Sequence, residues 1–245
     1  MSHNYSTLKT LVEIDSPTGF TKTACASVFD LLTSYGYKPR YSNKGAVACS
    51  LGKNPVLAIA AHVDTLGAIV SGVKKDGTLS FSLLGGLQLA TAEGEYVNVY
   101  TMGGKKIAGT LLFNDPSSHA NNKREDEKRS IENMHIRLDE EVENKEEVFK
   151  LGINVGDIIC FETKYREYES GFIKSRFMDN KAGCYVLFEI ARRLKELKKE
   201  VPVEIFFSNY EEVGHGGTCG YAETIKDLLV IDMGVIGTAC QGKET

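Results

Sequence analysis

The sequence has no run of about 18 or more apolar residues, no excess of positive charge and no C-x-x-C pair of cysteines. Each absence removes a class of function. Without a long apolar run, no segment is expected to cross a bilayer as a helix. A formal net charge of -4 gives no general attraction to nucleic acid. The opening stretch "MSHNYSTLKTLVEIDS" lacks a basic segment followed by an apolar one, so no secretory signal is expected and the expected location is cytoplasmic. Six cysteines, Cys25, Cys49, Cys160, Cys184, Cys219 and Cys240, are scattered along the chain. They read as small buried thiols, not as a disulfide framework or a zinc ribbon. No internal repeat or low-complexity segment is present. What remains, 42% hydrophobic and 25% charged over 245 residues, suits one large globular domain or two unequal ones.

Apolar periodicity divides the chain in three. In residues 1–66, "TKTACASVFDLLTSYGY" repeats apolar side chains at helical spacing and stops at Gly36, and the strand-like runs "GAVACSL" and "PVLAIAAHV" follow. From 67 to 164 the texture changes to short β-runs joined by glycine turns at Asp76-Gly77 and Gly103-Gly104, which reads as a small β-rich inserted domain. Within it, residues 121–147 carry charges of both signs and read as a solvated loop leading to a short exposed helix. The α/β pattern returns in 165–245. Phe172 to Phe177 is strand-like, "NKAGCYVLFEIARRLKELKKE" is a long amphipathic helix, and "PVEIFFSN" is a strand. The loop "YEEVGHGGTCG", a short helix and the strand "LLVIDMG" complete the pattern.

Acidic residues recur at the ends of these α/β elements. In "VLAIAAHVDTLGAIV", seven of the eight residues from Val56 to Val63 are apolar, yet the run finishes with His62 and Asp64 two positions apart, on one face of a strand. Asp179-Asn180 opens the long helix, Glu211-Glu212 follows "EIFFSN", and Asp232 ends "LLVI". The ligand crevice of an open α/β sheet lies beyond the carboxyl ends of its strands. One histidine among several carboxylates there is costly, because like charges raise one another's pKa, and one or two divalent ions resolve the conflict. Two ions about 3.5–4 Å apart need a bridging carboxylate and can activate a water between them. Asp179 is the candidate bridge, with His62 and Asp232 completing one site and Glu212 supplying the other. Asp64 is placed to hold the second imidazole nitrogen. Glu211 is left to carry a proton as general base and then acid. Taken singly, the same residues also read as helix caps and turn formers.

"AAHVDTLGAIV", "FMDNKAG", "YEEVGHGG" and "VIDMG" together resemble the motifs of the tetrahedral aminopeptidase and glutamyl aminopeptidase family of co-catalytic metallopeptidases. The resemblance implies an open, mostly parallel α/β sheet with helices on both faces, a zinc-peptidase-like layer interrupted by the β-rich insert. It implies two zinc or cobalt ions: His62, Asp179 and Asp232 on one, Asp179 and Glu212 on the other. Glu211 would be the base and Asp64 the residue behind His62. It also implies a cis peptide between Asp179 and Asn180, peptide substrates with a free N-terminus, and a homo-oligomer formed through the insert. Exposed strand edges on that insert give a physical motive for the oligomer. The family carries a further histidine ligand on the second ion, in a stretch well after the Asp-Met-Gly strand. This chain ends at Thr245, so the second metal site is expected to be incomplete. His215 reads as a loop residue.

The function expected is therefore an aminopeptidase using a metal-bound hydroxide and a glutamate base. The alternative is a family member that binds metal or peptide without efficient turnover. A glycoside hydrolase acting by two carboxylates is disfavoured, because that chemistry calls for no histidine and no metal cluster.

Overall fold

The structure, a computed structural model, describes residues 5–117 and 119–237. It divides into two compact units: Leu66–Lys164 forms one, and the chain on either side of it forms the other.

The split unit opens with helices α1 (Ser6–Glu13) and α2 (Lys22–Ser34), then strands β1 (Arg40–Tyr41), β2 (Val47–Ser50) and β3 (Leu57–His62). The interposed unit holds β4 (Gly67–Val73), β5 (Leu79–Leu84), β6 (Tyr96–Tyr100), β7 (Lys106–Phe113), β8 (Met134–Leu138), helix α3 (Lys145–Leu151) and β9 (Ile158–Phe161). The chain then returns through β10 (Arg166–Glu167), β11 (Ile173–Lys174), α4 (Met178–Glu196), β12 (Val203–Ser208) and β13 (Asp227–Val230).

Five strands of the split unit form one sheet in the order β1-β2-β12-β3-β13. Strands β12 and β13 run parallel to β3, with Ser208 beside His62 and Val230 beside Ala60. Their carboxyl ends, and the loops that follow, therefore share one edge. Strand β2 runs antiparallel to both β1 and β12, since the turn through Gly45 folds it directly back on β1. The sheet is thus mixed, where a mostly parallel one is expected from the sequence.

The three helices described in this unit contribute to one core. Leu11 of α1, Val28 and Leu32 of α2, and Leu187, Phe188 and Ala191 of α4 meet Val47, Cys49, Ala61, Ile205 and Phe207 of the sheet. The alternate strand positions Ala48, Ala60 and Phe206 form a small cluster with Ala46 on the opposite face, covered by Tyr221. Helices on both faces are not seen among the described residues. The reason is local: residues 214–226, between β12 and β13, form turns where a short helix is expected, so no crossover helix reaches that face. Strand β13 is an edge strand with Leu228, Leu229 and Val230 exposed.

The interposed unit closes its six strands into a barrel, β4-β5-β8-β7-β6-β9. Alternation fills its interior: Ile107, Leu111 and Phe113 of β7 are buried, as are Met134, Ile136 and Leu138 of β8. Gly109 is required where β7 meets β8, because a Cβ there would lie 2.6 Å from the Arg137 carbonyl oxygen. The hairpin turns at Gly77 and Gly104 both take positive φ, as their sequences imply.

Two expectations need correction. The charged stretch 121–147 is not only loop and helix, since it contains β8, a buried barrel strand. Phe172–Phe177 shrinks to the two residues of β11. Of the cysteines, Cys25, Cys49, Cys160 and Cys184 are buried free thiols, Cys219 is exposed, and Cys240 lies outside the described residues. No helix among the described residues is long and apolar enough to cross a membrane.

Candidate metal centre

His62 ends β3 and is buried, with its Nε2 turned toward carboxylates from three other segments. Asp179 Oδ1 lies 3.2 Å from that nitrogen, Glu211 Oε2 3.6 Å and Asp232 Oδ1 3.9 Å. Parallel pairing explains the convergence: Glu211 follows β12 and Asp232 follows β13, so both strands deliver their downstream residues to the edge where His62 sits. Asp179 arrives from the first turn of α4, across a cis Asp179–Asn180 peptide bond. The donor atoms of His62, Glu211 and Asp232 lie within 4.8 Å of one another, close enough to hold one ion. Glu211, expected as the base, is in that group, and Glu212, expected as a ligand, is not.

Behind the imidazole, Nδ1 lies 3.0 Å from the Asp64 carbonyl oxygen and 3.5 Å from its carboxylate. Both are acceptors, so Nδ1 carries a proton and Nε2 is left to face the acidic groups. The Asp64 carboxylate is wholly buried and has four partners. Besides His62, it accepts from Thr18 Oγ1 at 2.6 Å and from the backbone N–H groups of Glu211 and Glu212 at 3.2 and 3.3 Å. One side chain therefore sets both the ring and the Glu211-Glu212 turn. Gly216 lets that turn close, since a Cβ there would lie 2.7 Å from the Glu211 backbone.

The electrostatics follow from this crowding. Burial pulls the His62 pKa down, but its hydrogen bonds to Asp64 and the charges of Asp64 and Glu211 push it up, to about 9. Burial raises Asp64, but His62 and Thr18 outweigh it and hold the carboxyl below its usual range. Burial raises Glu211, against His62, and Asp232, Asp64 and Asp179 add to the rise. Burial also pushes Glu212 up, to about 7, with Asp179, Asp64 and Glu211 acting in the same sense and His62 against them. Carboxylates that hold one another's protons around a single imidazole are a donor set that a divalent cation would satisfy.

Several residues shape the site through contacts that were not expected from sequence. Thr18 and Ser16 belong to the loop before α2, and Ser16 Oγ donates to the Val63 carbonyl at 2.8 Å. Asn180 Nδ2 donates to the Ile231 carbonyl at 2.7 Å, fastening α4 to the strand end that carries Asp232. Lys181 sits wholly buried. A signal for it exists: the apolar stripe Cys184, Leu187, Phe188, Ala191, continued back one turn, lands on Lys181. His215 is exposed, outside the donor group, and its carbonyl accepts from Lys44 Nζ. A hollow of about 430 Å³, lined by Gly19, Thr21, Lys44, Asn209 and Tyr210 among others, is walled by the neighbours of Thr18 and Glu211.

An imidazole ringed by carboxylates at the carboxyl edge of an α/β sheet is the kind of donor set that metal-dependent hydrolases use. The chain belongs to the M42 glutamyl aminopeptidase family, whose profile matches residues 45–245. It is 37% identical over 235 residues to YhfE of Bacillus subtilis, a protein named as a candidate aminopeptidase, covering 94% of this chain and 68% of that one. It is 29% identical over 220 residues to the glutamyl aminopeptidase of Lactococcus lactis, covering 87% and 61%. Among solved structures, the TET aminopeptidase of a marine-sediment thaumarchaeon superposes with a TM-score of 0.82 at 26% identity, over 97% of this chain and 67% of that one. The TET1 peptidase of Pyrococcus horikoshii, described as assembling into a tetrahedron or a large octahedral shell, superposes with a TM-score of 0.74 at 22% identity, over 85% and 61%. The chain thus spans about two thirds or less of the length of these relatives.

Proposed function

We propose that this chain carries the metal-binding and proton-handling groups of an aminopeptidase that removes N-terminal residues from peptides. The observation that carries the reading is the convergence of Asp179, Glu211 and Asp232 on Nε2 of His62 within 3.9 Å, in a chain of the M42 family. His62, Asp179 and Asp232 would hold one divalent ion, zinc or cobalt, and Asp179 with Glu212 a second. Such ions supply Lewis acidity toward a carbonyl oxygen and lower the pKa of water.

The chain's own residues handle the rest. Asp64 keeps the ring oriented through Nδ1 and pins the backbone of Glu211 and Glu212. Glu211, half-exposed and with its pKa raised, takes a proton from the attacking water and delivers it to the leaving amine. The expected test separates ligand from base. Glu211→Gln should cut turnover of aminoacyl anilides by about a hundredfold or more while metal stays bound, because it removes a proton carrier and no ligand. His62→Ala should lose the metal itself. Equal metal loss in the two variants would exchange the roles of Glu211 and Glu212.

We also infer that the chain self-associates through the barrel unit. The assemblies named for the Pyrococcus horikoshii relative support this, as do Met102, 92% exposed at a hairpin tip, and the exposed Val155.

A further inference from the structure

The residue after the Asp179-Asn180 pair lies in the core instead of at the donor cluster. Lys181 is wholly buried, and among the described residues it is the only buried lysine or arginine. An ammonium group out of water is costly unless partners take it. Its Nζ donates to Ser16 Oγ at 2.7 Å, and Ser16 Oγ donates in turn to the carbonyl of Val63, the residue between His62 and Asp64. The Ser16 carbonyl accepts from Thr65 N–H at 2.9 Å, and the Thr18 hydroxyl reaches Asp64. Residues 16–18 thus grip 63–65, and Lys181 holds that grip from the helix side.

We propose that Lys181 is a positioning residue of the metal centre: through Ser16 it fixes the His62–Asp64 turn. This rests on the metal-site reading given above. The test compares the parent chain with Lys181→Met, Ser16→Ala and the double variant. Cobalt affinity is read by calorimetry, the cobalt site by its visible absorption bands, and folding by thermal unfolding.

Lys181→Met should weaken cobalt binding by about 10- to 100-fold, the range found when groups that orient metal ligands are removed, and should shift the bands. Ser16→Ala cuts the same link from its other end, so it should weaken binding to a similar degree. The double variant should bind no more weakly than Lys181→Met alone, because the two residues act in one chain of contacts. Ser16→Ala decides the matter if Lys181→Met does not fold. Unchanged affinity and bands in Ser16→Ala, even with a lowered melting temperature, would overturn the proposal, as would fully additive losses. A parent chain that takes up no cobalt would overturn the metal reading, and this inference with it.

Discussion

At the scale of single residues, charge and burial around His62 fix how the metal-free protein responds to pH. His62 and Glu212 both hold protons more tightly folded than unfolded, with pKa values near 9 and 7 against ordinary values of 6.5 and 4.5. Each contributes stability that is complete below its ordinary value and lost as pH rises through its folded one. The metal-free melting temperature should therefore fall steadily from about pH 5 to about pH 8. Lys181, whose burial holds its pKa down to about 8, gives the opposite slope only above that value. Saturating zinc should flatten the fall, since it replaces the proton on His62 and offsets the carboxylates. Circular dichroism melts across the window check this. A metal-free melting temperature that rises with pH there would contradict the charge states described.

At the scale of elements, the first turn of α4 does most to assemble the site, and its glycine is part of the device. Gly183 has an ordinary helical backbone, so Ala would by intrinsic preference stabilise it by up to about 1 kcal/mol. A Cβ at that position would instead lie 2.2 Å from Asn180 Oδ1, the atom that accepts from Gly183 N–H. Gly183→Ala should displace Asn180 from the Ile231 carbonyl, move Asp232 and weaken cobalt binding, while the helix content by circular dichroism stays the same.

The residues that converge in the candidate site were legible in sequence because each stands at the end of an apolar run, where polar side chains have no place in a core. His62, Asp64, Glu211 and Asp232 follow strands, and Asp179 opens a helix. The supports were not, because Ser16, Thr18 and Asn180 look like ordinary loop and cap residues until tertiary pairing brings residues far apart in sequence together. Which sheet face the helices cover is likewise a tertiary outcome. Strand β8 was hidden for another reason: the alternation in Met134-His135-Ile136-Arg137-Leu138 is flanked by charges that make the whole stretch read as solvent-facing. Ile136→Ala should cost about 2–4 kcal/mol in a denaturant titration, as a cavity in a core does, while Ile131→Ala, at an exposed position, should stay within about 0.5 kcal/mol of the parent.

At the scale of the whole molecule, closure of the barrel changes the argument for self-association. Open strand edges are the motive read from sequence, but all six barrel strands pair on both sides, so edge pairing is not available to that unit. The contact between copies proposed for this unit would then rest on side chains such as Met102 and Val155. Removing residues 66–164 and joining Thr65 to Tyr165 should lower the number of chains per particle in light scattering, and an unchanged number would move the contact to the sheet-bearing unit.

The interruption of one unit by the other also orders events in time. His62 and Asp179 are 117 residues apart and Asp64 and Glu212 148, whereas every strand of the barrel comes from one unbroken stretch. Contacts between distant segments must wait for long loops to close, and nascent chains fold from the N-terminus onward. On a ribosome the barrel can therefore complete itself while β3 still waits for β12 and β13. The candidate metal cluster therefore assembles after the barrel, so a cation that needs all of its donors would report the joining of the two separated stretches of the split unit.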